Sequence, residues 1–337
     1  MSIVNTFSLQ SNRQIKINFD GGDLSSDAGL LLIKEFISKL GIERLLNRSF
    51  KTNDSAVFRY HTDRDNLLQM IYMIMAGYFE DDASDELTKD PIFFNRMDED
   101  TLKQFQEISQ ILRKRIYSIQ MPQAVILDLD STLLAAYGKQ EGRAFNFHYR
   151  SNGYHPLVCY AGITGDLIKI QLRDGAAYSC TGVTNFLQPI LDEYLNDYPT
   201  IHLLLRGDSG FATPDLYKQC EENGTSYVIR LMENFIKESK SGFDFSAVSS
   251  HNRIVNANRV QVHALAYNIF NWFRRLVLSA KMRKQRIDTV RLKLLKIATK
   301  VVHSARYITF KLCSSCPYKE EFYDTLSAIG KLNVQLE

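Results

Sequence analysis

The chain has 337 residues, 45% of them hydrophobic and 23% charged, and 41 Lys and Arg against 38 Asp and Glu give a formal charge of +3. That length supports a sizeable core, as one large domain with appendages or as two domains. No run approaches the ~18 apolar residues of a membrane span, and no basic segment followed by an apolar one succeeds Met1, so a soluble intracellular protein is expected.

Residues 1–120 read mainly as helix. Ser25, Ser26 and Asp27 offer caps, and Leu30, Leu31, Ile33, Phe36, Ile37 and Leu40 then recur at helical spacing until Gly41 stops them. A second helix is expected from Asp65 to Phe79, with Met70, Met73 and Met75 filling core rather than forming a binding surface. A third runs from Asp100 to Tyr117 and ends in Arg113-Lys114-Arg115. This region is a candidate DNA-binding unit, although nothing in it selects the helix that would enter a groove.

Residues 121–250 change period. Ala124 to Leu129, Leu157 to Ile163 and Leu167 to Leu172 read as strands, the last two joined by the hairpin-type turn Thr164-Gly165-Asp166. A helix around Val183 to Leu195 precedes a strand at Ile201 to Leu205. Thr213-Pro214 then opens another helix, and Tyr227 to Leu231 is a further strand. Three antiparallel strands followed by alternating helices and strands describe a mixed α/β sheet.

Residues 251–337 return to helix, chiefly Val260 to Leu278, whose aromatics around most of the circumference predict burial. Between Arg253 and Lys311 there are fourteen Lys or Arg and one acid, Asp288. A basic block of this kind suits a phosphate backbone, or else a solvated helical face. Five scattered cysteines make a disulfide framework improbable, and Cys313-Ser-Ser-Cys316, with no second such pair, reads as two incidental thiols.

Three carboxylates stand in recognisable settings. Asp130 closes the first strand, within Val-Ile-Leu-Asp-Leu-Asp-Ser-Thr (125–132), and Asp208 follows a later one, within Leu-Leu-Leu-Arg-Gly-Asp-Ser-Gly-Phe (203–211). Side chains at such strand ends leave the packed sheet for the crevice above it, where two hard oxygen ligands make a seat for Mg²⁺ or Mn²⁺. Asp128 shares the face of Asp130 and is a candidate extra ligand; Asp130 alone would equally serve as a turn cap. Glu233, Lys237 and Lys240 lie at i, i+4 and i+7 of a helix, which in isolation would be a surface salt-bridge ladder.

In this order the motifs resemble those of the DDE-type insertion-sequence transposases of bacteria. The resemblance extends into Ala-Gly-Tyr-Phe-Glu-Asp-Asp-Ala-Ser-Asp-Glu-Leu-Thr-Lys-Asp-Pro (76–91) and Leu-Ala-Tyr-Asn-Ile-Phe-Asn-Trp-Phe (265–273). It implies a ribonuclease-H-like mixed α/β sheet with flanking helices at 121–250, between the helical N-terminal (1–120) and basic helical C-terminal (251–337) regions. It further implies that Asp130, Asp208 and Glu233 are catalytic and hold two Mg²⁺ or Mn²⁺ ions, with Lys240 and Lys237 on DNA phosphate. The expected activity is strand cleavage and strand transfer at the ends of the element. Double-stranded DNA, as terminal inverted repeats and as target, is the expected partner, engaged by a homodimer at the bacterial nucleoid.

Two departures stand against the family pattern. Only 24 residues separate Asp208 from Glu233, where the family carries an inserted, mostly β segment and a Tyr and Arg before the glutamate. Likewise Lys89-Asp90-Pro91 abuts Phe94-Asn-Arg-Met-Asp-Glu, where more helix is usual. An internally shortened copy is expected. It leaves a catalytically defective DNA-binding transposase as the alternative, beside a metal-dependent nuclease that only hydrolyses.

Overall fold

The computed structural model describes residues 6–21, 26–54, 59–78, 94, 96–229, 242–245, 248–304 and 306–334. The chain opens on a hairpin, β1 (Phe7–Ser8) and β2 (Ile15–Gly21). Ile15, Ile17 and Phe19 alternate with polar residues and are buried, the period expected of a half-buried strand. Glu35 fixes the turn by accepting from the backbone of Gln10 (2.8 Å) and Ser11 (3.0 Å).

Among the described residues α1 (Leu30–Lys39), α2 (Ile42–Ser49), α3 (Asp63–Ala76) and α4 (Glu99–Ile119) follow. Gly29, rather than a capping side chain, precedes α1, because its N–H and that of Ala28 are held by the carbonyls of Leu295 and Ile297 (3.0 Å each). A Cβ at Gly29 would lie 1.7 Å from the Leu294 carbonyl oxygen, so only glycine fits this approach. Thr62 and Asp65 form a capping box on α3, which ends at Gly77 with φ of 87°.

The central sheet comprises β3 (Ala124–Ser131), β7 (Leu157–Ala161), β8 (Leu167–Gln171), β9 (His202–Gly207) and β10 (Ser226–Ile229), in the order β10-β9-β3-β7-β8. Strands β3, β7 and β8 form an antiparallel meander, whereas β9 runs parallel to β3 and β10 parallel to β9. Numbered within the sheet the order is 5-4-1-2-3 with only the second strand reversed, the ribonuclease-H-like arrangement. Between β3 and β7 lies a second small sheet that the sequence reading lacked, in the order β4 (Leu134–Ala135), β6 (Ser151–Tyr154), β5 (Ala144–Asn146). The crossover helices α5 (Val183–Asp197) and α6 (Pro214–Glu222) connect β8, β9 and β10. Tyr217 of α6 stacks on Tyr227 of β10 at 5.1 Å, which puts α6 on the face that carries Leu205 and Leu127.

On the opposite face lies α7 (Arg253–Val277), where Tyr267 meets Tyr160 of β7 edge to face at 6.1 Å. Its polar side chains substitute for a missing strand along β8. Asn268 accepts from Leu167 N and donates to Leu167 O (2.8 Å each), and Gln261 donates to Ile170 O (2.8 Å). An edge strand buried under a helix must satisfy its backbone in some such way. Asn268→Leu keeps the volume and removes both bonds, so urea unfolding should show a loss of about 1–3 kcal/mol.

Short helices α8 (Ala280–Arg283) and α9 (Ile287–Val290) lead to the hairpin β11 (Thr299–His303) and β12 (Ile308–Cys313), and α10 (Lys319–Lys331) closes the described chain. Strand β12 pairs in parallel with β2, giving the order β1-β2-β12-β11. Tyr323 and Phe322 of α10 pack against Phe19 at 5.1 and 5.5 Å. The terminal regions are mainly helical, as expected, but they also share this sheet, which joins residues nearly the whole chain apart.

Candidate active site

Strands β3 and β9 run in register from Ala124↔His202 to Asp128↔Arg206. Asp130 lies two residues beyond the last of these pairs on β3, and Asp208 two residues beyond it on the other chain segment, just after β9 ends. Along β3 the residues Val125, Leu127, Leu129 and Ser131 are buried, while Asp128 and Asp130 on the other face are only partly covered. That second face is the one α7 shares, and beyond α7 it opens: Val228, in register with Arg206, is 50% exposed. Asp130 therefore lies near the C-terminal end of β3 and Asp208 directly after that of β9, and both are partly exposed.

Each is held by its own turn. The Asp130 Oδ1 accepts from Ser131 N at 2.6 Å. Asp208 caps the single turn Ser209–Phe211, its Oδ1 accepting from Gly210 N at 2.9 Å. Phe211 is fully buried and lies close under Gly207, where an added Cβ would be 3.2 Å from its ring. A Cβ at Gly210 would be 3.0 Å from the Asp208 carboxylate and 3.1 Å from Ser179, so Gly-Asp-Ser-Gly-Phe is the sequence of a turn with no spare volume.

Asp128 is engaged in an ion pair. Both its oxygens accept from Arg206, at 2.5 Å from Nε and 2.6 Å from Nη2, and this pairing raises the Arg206 pKa. Gly162 leaves room for the pair: a Cβ there would lie 2.4 Å from Asp128 Oδ2. The alternation along β3 correctly puts Asp128 and Asp130 on one face, but Arg206, remote in sequence, commits Asp128 to an ion pair.

Residues the sequence did not flag complete the surroundings. Buried Arg173 donates to the carbonyls of His155 (2.9 Å), Thr181 (2.7 Å), Tyr178 (3.1 Å) and Ser179 (3.2 Å). Burial pushes its pKa down to about 10, which leaves it charged at neutral pH. The clamped loop delivers the Ser179 hydroxyl to that of Ser131 (3.0 Å), next to Asp130. Burial also lowers the His155 pKa, and its Nδ1 is 2.7 Å from Ala177 O. The available signal was an arginine directly after an apolar strand, a place where a buried cation needs carbonyl partners. Arg173→Met should cost roughly 2–4 kcal/mol in denaturant unfolding, because it leaves buried carbonyls without a donor.

Glu233, Lys237 and Lys240 lie in 230–241, outside the described residues. Of the three carboxylates, Asp130 and Asp208 are described, one near the end of β3 and one directly after its parallel neighbour β9. Among the described residues no group of three or more His, Cys, Asp or Glu is placed to hold a metal ion. Two hard carboxylates at adjacent strand ends do fit Mg²⁺ or Mn²⁺ as part of a ligand set.

The basic block divides by environment. Arg291 is buried and donates to Met75 O (2.8 Å), Ile74 O (3.0 Å) and Gly242 O (2.5 Å), capping α3. Arg275 pairs with Asp166, Lys311 with Asp20 and Arg253 with Asp174. In contrast, Lys281, Arg283, Lys284 and Arg286 are exposed around α8. No helix among the described residues is long and apolar enough to cross a membrane.

The family profile described as Transposase DDE domain group 1 matches residues 7–96, 93–232 and 231–334. The three matched pieces meet at the two places where the sequence departs from the family pattern. A solved synaptic complex of piggyBac transposase with hairpin DNA has 12% identity to the chain, covering 68% of this chain and 52% of that one, with a TM-score of 0.29. The chain thus spans about half the length of that transposase. A search of curated protein sequences finds no match.

Proposed function

The chain belongs to the DDE transposase family, its match running from residue 7 to residue 334, and from this we propose that it cleaves and joins DNA strands at the ends of an insertion sequence. The observation that supports the proposal is the place of Asp130 near the end of β3 and of Asp208 directly after β9, two strands that pair in parallel up to Asp128↔Arg206. Asp130 and Asp208, with Glu233, would hold two Mg²⁺ or Mn²⁺ ions. Such ions, when bound, activate the attacking water or 3′-hydroxyl and stabilise the leaving oxygen of an in-line displacement. The turns after Asp130 and Asp208 fix the direction of both carboxylates before any ligand arrives, and the Arg206–Asp128 pair keeps a third negative charge out of the cluster. Lys240 and Lys237 would contact phosphate near the cleavage point, and a homodimer on DNA would hold the terminal repeats and the target.

Lys281, Arg283, Lys284 and Arg286 supply an exposed cationic surface for the backbone of the duplex. Each phosphate contact adds about −0.9 to the slope of log K against log salt. Replacing all four by Ala should flatten that slope by roughly two units or more in a filter-binding series, with little change in folding.

A second reading has its own support. The family match is interrupted immediately before Glu233, as a copy shortened there would produce. Such a chain binds end DNA and does not cut it. Incubation of the full chain with supercoiled plasmid carrying the ends of its own element, in Mn²⁺, separates the two. Nicked and strand-transfer products support the enzyme, binding without nicking at any metal concentration supports the shortened copy, and nicking without transfer identifies a plain nuclease.

A further inference from the structure

Next to Asp130 a hairpin holds large rings out in solvent. β5 and β6 are joined by Phe147, His148, Tyr149 and Arg150, all exposed, with Phe147 85% exposed. Tyr178, on the loop that Arg173 clamps, is 81% exposed. Buried Asn146 braces the turn: its Oδ1 accepts from His148 N (3.1 Å) and Tyr149 N (3.2 Å), while its Nδ2 donates to Gly175 O (2.9 Å). A turn fixed in this way holds its rings outside at the cost of leaving apolar surface in water.

The rings are coupled to the carboxylates. The Tyr149 hydroxyl donates to Ser131 O (3.2 Å), one residue from Asp130, and the same Ser131 bonds Ser179, one residue from Tyr178. Phe145 and Phe147 meet edge to face at 5.2 Å, and Tyr149 packs on His155 at 5.8 Å. The stretch 142–165 contains no Asp or Glu but has Arg143 and Arg150. Aromatic faces interleaved with cations recognise unpaired nucleotides, whose bases are free to stack while their phosphates meet positive charge. Paired bases in a duplex offer no such face.

We propose that this hairpin is a stacking platform for unpaired DNA bases, with Phe147, Tyr149 and Tyr178 receiving bases beside the site proposed at Asp130 and Asp208. The inference rests on the DNA reading above and adds strand separation at the reacting end. Its test is a fluorescence-anisotropy titration of the full chain in EDTA, with labelled oligothymidylate and a labelled duplex as separate probes. The Phe147→Ala/Tyr149→Ala double variant should bind oligothymidylate roughly tenfold or more weakly and the duplex unchanged. Tyr149→Phe, which keeps the ring and loses the bond to Ser131, should bind both as the wild type does. Equal weakening for both probes, or no weakening for oligothymidylate, overturns the platform while leaving the transposase reading intact. Loss of self-association in the double variant, seen by sedimentation without any loss of oligothymidylate binding, overturns it in favour of a second copy of the chain on this face. A wild-type chain that binds neither probe removes the DNA reading as well.

Discussion

Asp208→Asn is expected to abolish Mn²⁺-dependent strand cleavage while leaving binding to end DNA intact. The side-chain Oδ1 of asparagine can still accept from Gly210 N, the bond that shapes the turn after β9, so the fold should not change. What disappears is a negative oxygen ligand. Metal ions supply several kcal/mol of transition-state stabilisation, and at about 1.36 kcal/mol per tenfold in rate the loss is roughly a thousandfold. Asp130→Asn should behave alike, because its amide oxygen can keep the bond from Ser131 N. Gel-shift affinity and plasmid nicking measured on one preparation check both halves. Retained nicking in either variant removes that residue from the site.

The second large effect concerns stability. Arg113 of α4 and Glu193 of α5 form a bidentate pair at 2.7 and 2.9 Å with both side chains buried. Burial opposes the Arg113 charge, yet the Glu193 carboxylate outweighs it and raises the pKa. Over the pair the hydroxyls of Tyr117 and Tyr194 meet at 2.8 Å. Glu193→Ala leaves the guanidinium buried without its counter-charge, and urea unfolding should record a loss of about 3–5 kcal/mol. Removing both partners, as Arg113→Met/Glu193→Leu, should cost much less, since no orphan charge remains. Equal losses in the single and double variants would contradict this account. Because α4 belongs to the N-terminal helices and α5 to the central sheet, the pair also welds the two regions.

The central sheet was legible because its strands are short apolar runs punctuated by turns, and the carboxylates end those runs. The sequence reading missed the strand at Ile15-Lys-Ile-Asn-Phe: its period of two is there, but its partner β12 lies some 290 residues away and no local signal announces that pairing. The β4–β6 sheet escaped for another reason: Ser151-Asn-Gly-Tyr and Ala144-Phe-Asn are too short and too polar to stand out from loop. Charge was the least legible property. Fourteen cations in 253–311 suggested one basic face, yet Arg291 caps a helix and Arg275 pairs with Asp166, roles set by distances that exist only after folding. Asp128 followed the same pattern, a plausible ligand by alternation until Arg206 closed on it. The place of Arg173 directly after an apolar strand was legible, but its acceptors on the loop before α5 were not, because all are backbone carbonyls.

The most direct measurement is anomalous scattering at the manganese edge from crystals of the full chain grown with end DNA and Mn²⁺. The account predicts two peaks about 3.5–4 Å apart between the carboxylates of Asp130 and Asp208, with Glu233 completing the ligand set. Manganese bound elsewhere, or no peak between those two carboxylates, would contradict it.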